Sequence, residues 1–327
     1  MKSNPTLVVI IPAYNEQMVL PESIKRISDI LIDMINSRRI SSNSYICVVD
    51  DGSIDHTWNI ISDLAKSSSS GPGVVGIKFA RNFGHQYALI AGLKTCPADI
   101  YITIDADLQD DENAIYEMVD HYLRGSHIVY GVRKSRTVDT LFKRLTALAF
   151  YKIMKICRTG TVYNHADYRL LSREVVEEVL KFRETNLFLR AIIPSIGFEQ
   201  SMVYYDRKER FAGKTKYPVH AMLAFAWNGI TSFSTIPLKF VSFVGTLIFL
   251  CTICGAMYSI YQKLCGNVVP GWTSTVLPIF FLGGVQLLCV GILGEYIGKM
   301  YGEVKNRPRY IIEKTMGETK SSVMPYK

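Results

Sequence analysis

The chain has 327 residues, enough for about two folding units, with 48% hydrophobic and 20% charged residues, a mean hydropathy of +0.14 and a net charge of +8. That balance is too apolar for a disordered chain and rich for a soluble one, so membrane segments are expected. The basic excess favours a polyanionic partner (nucleic acid, an anionic bilayer or a phosphate-bearing ligand), and seven scattered cysteines argue against a disulfide framework and fit a reducing compartment.

Through about residue 135, short β-rich runs alternate with helical patterns. Strands are expected at Leu7–Ile11, Ile46–Val49, Val74–Phe79, Ile100–Ile104 and Ile128–Gly131, and helices at Leu20–Ile35, Trp58–Ala65, Gln86–Lys94 and Ala114–Leu123. The first apolar run is too short for a signal peptide and ends in Pro12, so this half is expected to be cytosolic. The alternation predicts an α/β wound sheet, in which ligands bind beyond the carboxyl ends of the strands.

The residues following those strands are polar and acidic: Pro12-Ala-Tyr-Asn-Glu16, Asp50-Asp51-Gly52-Ser53 and Asp105-Ala-Asp-Leu-Gln-Asp110. Acids gathered at one sheet edge repel unless cations or hydroxyl donors sit among them. An oxygen-only set of this kind suits Mg2+ or Mn2+ with a phosphate-bearing ligand. In Asp105-Ala-Asp107 both carboxylates can turn toward a metal that bridges diphosphate oxygens. Asp55 and the run Asp110–Glu112 are expected instead to form turns or cap helices.

Dinucleotide binding requires a glycine-rich loop after the first strand, and none is there. A phosphate-binding P-loop is also missing, because Gly213-Lys214-Thr215 lacks its preceding glycine. The six histidines show no zinc spacing, and His85 and His165 are expected to make ordinary polar contacts.

Thr140–Arg158 reads as a basic amphipathic helix, lying either on an anionic membrane leaflet or in the core. Pro218–Pro237 reads as an interfacial segment. Phe240–Gln262 and Leu264–Gly294 are uncharged, the second with a compact apolar part at Val276–Leu293, and both are long enough to cross a bilayer. Cys251 and Cys254 lie within the first of these runs, without basic neighbours, and no redox or metal role is expected of them. The joining segment Cys265–Thr275 has no Lys or Arg while both flanks are basic, which places the flanks in the cytoplasm. Gly283, Gly284, Gly291 and Gly294 suit close helix packing.

Four motifs together, Pro12-Ala-Tyr-Asn-Glu16, Val48-Val-Asp-Asp-Gly-Ser53, Asp105-Ala-Asp-Leu-Gln109 and Asp167-Tyr-Arg-Leu-Leu-Ser-Arg173, resemble the inverting GT-A glycosyltransferases of family 2. The two apolar spans and the tail Gly294-Glu-Tyr-Ile-Gly298 … Asn306-Arg-Pro-Arg-Tyr310 narrow the resemblance to polyprenyl-phosphate glycosyltransferases, nearest to the undecaprenyl-phosphate (bactoprenol) glucosyltransferases. Dolichol-phosphate mannose synthase is a more distant relative. The resemblance implies a GT-A domain over 1–216, an interfacial segment over 217–239, a transmembrane hairpin over 240–299 and a cytosolic basic tail over 300–327.

It also implies roles. Pro12, Tyr14, Glu16 and Asp51 would hold uridine, with Asp50 supporting the turn. Asp105 and Asp107 would bind Mg2+ or Mn2+, with Gln109 as a further candidate ligand, and Asp107 would thereby share in catalysis. Asp167 resembles a catalytic base or a residue that orients the acceptor, and Arg81, Arg207, Arg210 and Lys214 would hold phosphates. The implied partners are a UDP-hexose donor, with glucose the expected sugar, an undecaprenyl phosphate acceptor, the inner membrane and, in an open oligomeric state, a second copy.

Physical chemistry tempers one role. A lipid monophosphate has a second pKa of about 6, so near neutrality it is a competent nucleophile without a strong base. Asp167 is therefore expected in the active site more than as a base. Where relatives usually carry two prolines after Asp-Leu-Gln-Asp, this chain has Asp111 and Glu112. Three rivals remain. A processive polysaccharide synthase would carry Gln-x-x-Arg-Trp and more spans, a non-catalytic scaffold would bind UDP without turnover, and a nucleic-acid-binding protein would show an aromatic-interleaved basic groove.

Overall fold

The structure, a computed structural model, describes residues 4–67, 71–134, 165–184, 188–206, 236–265 and 271–317. Five strands lie where the apolar runs place them: β1 (Leu7–Ala13), β2 (Tyr45–Asp50), β3 (Gly73–Phe79), β4 (Ile100–Thr103) and β5 (Ile128–Arg133). Between them lie α1 (Leu20–Asn36), α2 (Thr57–Ser67), α3 (His85–Thr95) and α4 (Ala114–Leu123). Then follow β6 (His165–Ser172), α5 (Arg173–Lys181), α6 (Leu189–Ser195) and β7 (Gln200–Tyr205), and β8 (Ile312–Met316) comes near the carboxyl end.

The eight strands form one sheet in the order β7-β5-β6-β4-β1-β2-β3-β8. Strands β4, β1, β2 and β3 run parallel, while β6 is antiparallel to β4 and β5, and β8 is antiparallel to β3. Helices cover both faces, so all of β1 and β2 is buried and the strands read as continuous apolar runs. Alternation divides their side chains: Leu7, Val9 and Ile11 pack with α1, α2 and α4, whereas Val8 and Ile10 pack with α3, α5 and α6. Helix α3 comes so close that a Cβ on Gly92 would stand 2.5 Å from Ile10 Cγ2.

The chain divides into two units, one holding residues 1–152, 160–216 and 308–327, the other 153–159 and 217–307. Within the second, α7 (Ile236–Leu264) and α8 (Trp272–Val304) contain the apolar stretches Leu238–Gly255 and Phe281–Val304, with mean hydropathies of 2.0 and 1.5 and 0% of either buried. Apolar surface on that scale marks a membrane or partner contact. Helix α8 runs past the compact apolar part to Val304, through a Glu295–Lys299 pair at 3.7 Å. The tail expected as a separate segment thus begins inside α8 and ends as β8 in the sheet. The expected helix at Thr140–Arg158 and the interfacial segment Pro218–Pro237 lie outside the described residues, except Ile236 and Pro237, which open α7.

Candidate active site

The parallel strands deliver their following loops to one edge of the sheet. The loops after β1 and β2 are clipped together: Asn15 N–H donates to Ser53 Oγ (2.9 Å), Ile54 N–H to Asn15 Oδ1 (2.9 Å) and Glu16 N–H to Thr57 Oγ1 (3.0 Å). Pro12, on β1, is buried beside Val49, while Tyr14 is exposed at the rim. Asp50 is fully buried at the end of β2, and its Oδ1 accepts from Ser53 N–H (3.0 Å), as the turn-supporting role requires. Burial raises its pKa, against the pull of the Ser53 hydrogen bonds.

Asp51 faces the loop after β3. Its carboxylate accepts from Phe83 N–H (2.7 Å) and from Gly84 N–H at 2.9 Å, so it holds residues 80–84 in place. Gly52, at φ +69°, lies against that loop, where a Cβ would stand 2.3 Å from the Arg81 carbonyl carbon. Arg81 rests over the Phe83 ring at 4.1 Å.

After β4, exposure alternates: Asp105, Asp107 and Gln109 are partly exposed, while Ala106, Leu108 and Asp110 are buried. Leu108 takes a left-handed φ of +56°, a costly conformation for a leucine and one found at functional loops. The far end of the loop is held by Asp110, whose Oδ1 accepts from Arg133 Nη2 (2.9 Å) and Tyr205 Oη (2.6 Å). This corrects the expectation that Asp110 and Glu112 form turns or cap a helix, which holds instead at Asp111, whose Oδ1 accepts from Asn113 N–H (3.4 Å). Asn113 is the N-cap of α4, Glu112 pairs with Arg26 at 3.2 Å, and a carboxylate as buried as that of Asp110 takes the cationic partner that offsets its desolvation.

Strand β6 runs opposite to β4, with Thr103 beside Arg169, so its start reaches the same edge as the end of β4. Asp167 and Arg169, two residues apart, share a face, and Arg169 donates to Asp167 Oδ1. From α6, Arg190 grips the same carboxylate through Nε (3.2 Å) and Nη2 (2.9 Å). Burial alone would raise the Asp167 pKa, but the two guanidinium groups override it and hold the carboxyl well below the usual range. Two nitrogens of buried Arg169, Nε and Nη1, have no hydrogen-bond partner among the described residues.

His85, at the start of α3, joins the two acid groups. Its Nε2 lies 3.7 Å from both Asp105 Oδ1 and Asp167 Oδ2, a bridging position more specific than the ordinary contact expected of it. Among the described residues, no group of three His, Cys, Asp or Glu side chains is arranged to hold a metal by itself. The donor chemistry nevertheless fits Mg2+ or Mn2+, which commonly bind through one or two carboxylates and substrate phosphates. Desolvation and the charges of Asp167, Asp110 and Asp107 push Asp105 up to about 6 despite the pull of His85, a repulsion that a cation would relieve.

A profile described as Glycosyl transferase family 2 matches residues 8–180, more than half of the chain. The chain belongs to this family. It is 47% identical over 314 residues to the uncharacterized glycosyltransferase YkoT of Bacillus subtilis (strain 168), covering 95% of this chain and 92% of that protein. It is 39% identical over 309 residues to the SfII prophage-derived bactoprenol glucosyl transferase of Shigella flexneri, covering 94% of this chain and 97% of that protein. Among solved structures, glucosyl-3-phosphoglycerate synthase from Mycobacterium tuberculosis aligns with a TM-score of 0.45 and 21% identity over 70% of this chain and 79% of that one, a likeness that carries no argument about activity.

This family 2 member is therefore a glycosyltransferase related to the bactoprenol glucosyl transferases, on a mixed α/β sheet of the GT-A kind. The structure brings Asp105 and Asp167 together through His85, and Asp51 together with the Arg81 loop. Arg207, Arg210 and Lys214 lie outside the described residues. Sequence reasoning missed Arg190 and the Asp110–Arg133–Tyr205 group. Arg169 stood inside a quoted motif, and strand alternation would have put it on the face of Asp167.

Proposed function

We propose that this protein is a membrane-anchored, metal-dependent, inverting glycosyltransferase that moves glucose from UDP-glucose to undecaprenyl phosphate at the cytoplasmic face. The observation that carries the reading is His85 standing 3.7 Å from both Asp105 and Asp167, so that the donor-side and acceptor-side acids belong to one site. Relatives named bactoprenol glucosyl transferases, matching nearly the whole chain, supply the acceptor and the sugar.

Pro12, Tyr14, Glu16, Asp50 and Asp51 frame the uridine pocket, and Arg81 takes a phosphate of the donor. Asp105, Asp107 and Gln109 would hold Mg2+ or Mn2+, which when bound would supply positive charge against the leaving diphosphate. The acceptor phosphate arrives largely as a dianion, and one of its oxygens forms the new bond to the anomeric carbon as the bond to UDP breaks and UDP leaves with the electron pair. Asp167, tied to Arg169 and Arg190, stays ionised and takes no proton. Its work is to hold Arg190 toward the phosphates, with Arg207, Arg210 and Lys214 as further phosphate ligands. Most of the rate then comes from positioning and electrostatics.

The test is transfer of label from a panel of UDP-hexoses to undecaprenyl phosphate in detergent, with and without Mg2+ or Mn2+, beside Asp107→Ala. Metal-dependent label from UDP-glucose in the lipid phase, absent in the variant, is expected. Folded protein that binds UDP yet transfers from no donor would overturn the reading in favour of a scaffold.

A further inference from the structure

The segment that follows the second apolar helix returns to the sheet beside the loop that Asp51 holds. Four residues beyond Val304, the end of α8, the chain re-enters the sheet unit at Pro308. Arg309 Nη2 donates to the Phe182 carbonyl (2.6 Å), and Tyr310 stacks on Phe79 with ring centroids 5.1 Å apart at 16°. The Ile311 carbonyl then accepts from Ala80 N–H (3.0 Å), and β8 pairs with β3, aided by Lys78–Glu313 at 2.9 Å.

The Tyr310 and Ile311 contacts fall on the base of residues 80–84. Phe79, under Tyr310, meets Phe83 edge-on at 5.7 Å and 89°. Phe83 in turn carries Arg81 on its face and donates its N–H to Asp51. The same loop lies so close against Gly52 that a Cβ there would stand 2.3 Å from the Arg81 carbonyl carbon. A loop with Asp51 on one side and Tyr310 behind it has its position defined from both sides.

We propose that Tyr310 is a positioning residue for the nucleotide-sugar pocket: it fixes Phe79 and Phe83, and through them the Arg81-bearing loop that closes against Asp50–Gly52. The inference rests on the reading that this pocket holds a UDP-sugar. Its consequence is that the chain emerging from the last apolar helix forms part of the donor site, although Tyr310 touches no substrate. Truncation before Pro308 would impair donor binding while leaving Asp105, Asp107 and Asp167 intact.

The experiment uses full-length protein in detergent and compares wild type with Tyr310→Ala, Tyr310→Leu and Tyr310→Phe. Hydrogen exchange reads the loop and calorimetric UDP titration in Mn2+ reads the pocket. Losing one stacked ring corresponds to an effect of about tenfold. Tyr310→Ala and Tyr310→Leu are expected to speed exchange at Phe83 and Gly84 and to weaken UDP binding by that factor, with β1 and α4 amides unchanged. Tyr310→Phe is expected to restore both.

Unchanged exchange at Phe83 and Gly84 in either folded variant overturns the proposal. So does faster exchange with wild-type UDP affinity, which is what a purely structural contact would give. If wild-type protein binds no UDP, the UDP-sugar reading fails and the positioning role falls with it, whereas failure of the positioning role alone leaves wild-type UDP binding intact.

Discussion

At Asp105, stability and activity make opposite demands. Its carboxyl is pushed up to about 6, by desolvation first and then by neighbouring acids. A carboxyl whose folded pKa lies above the unfolded value of about 3.9 destabilises the fold when ionised, from that pH upward and fully above the folded pKa. Asp105→Asn should therefore raise the thermal midpoint of metal-free protein at pH 7, with the gain shrinking between pH 6 and pH 4 and vanishing below. The same variant should lose transfer activity. Melting curves with chelator at four pH values check this, and equal midpoints at pH 7 would refute it. The sequence showed the acid, its spacing and the neighbouring Asp107 and Asp110, but not that Asp167 presses on it, because that residue lies 62 positions away and meets it only through the sheet.

Among the elements, the β4 loop depends most on distant partners. It carries Asp105 and Asp107, the proposed metal ligands, at one end and Asp110 at the other, where Arg133 from β5 and Tyr205 from β7 converge. A hydrogen bond to a charged, buried group contributes about 2 kcal/mol, and Tyr205→Phe removes one while Arg133 still pairs Asp110. That variant should lose about 2 kcal/mol of stability and need more Mn2+ for half-maximal transfer, with the requirement for lipid acceptor unchanged. A Mn2+ titration of initial rates checks it, and an unchanged midpoint would show that the network does not position the loop. Helix-cap rules predicted a different task for Asp110 because local sequence cannot register partners arriving from two other strands. Asp50 and Asp55, whose partners Ser53 and Thr57 are close in sequence, were legible.

For the whole molecule, the chain order runs from β7, at one edge of the sheet, to the two apolar helices and then to β8, at the other edge. The topology proposed from the positive flanks would put the short joining segment outside the cytoplasm. Cys265, exposed at the end of α7, tests this. In a variant retaining it as the sole cysteine, a membrane-impermeant maleimide should label intact cells, and labelling only after lysis would reverse the topology. The two apolar helices were visible in the sequence since length and absence of charge suffice to mark them. The return of the tail was not visible, because a short strand of Ile, Glu, Lys, Thr and Met shows its pairing only beside β3.

The sequence by itself determined the first five strands, the four helices between them, the apolar pair and the acid loops, all of which follow from local periodicity or from short motifs. Only the tertiary structure decided that β6 runs antiparallel and brings Asp167 to the end of β4, that Arg190 and Arg169 keep that acid ionised, and that Tyr310 backs the Arg81 loop. The physical reason is common to all three. Periodicity encodes which side of an element is buried, whereas the charge state and position of a side chain depend on neighbours brought together by folding from distant parts of the chain.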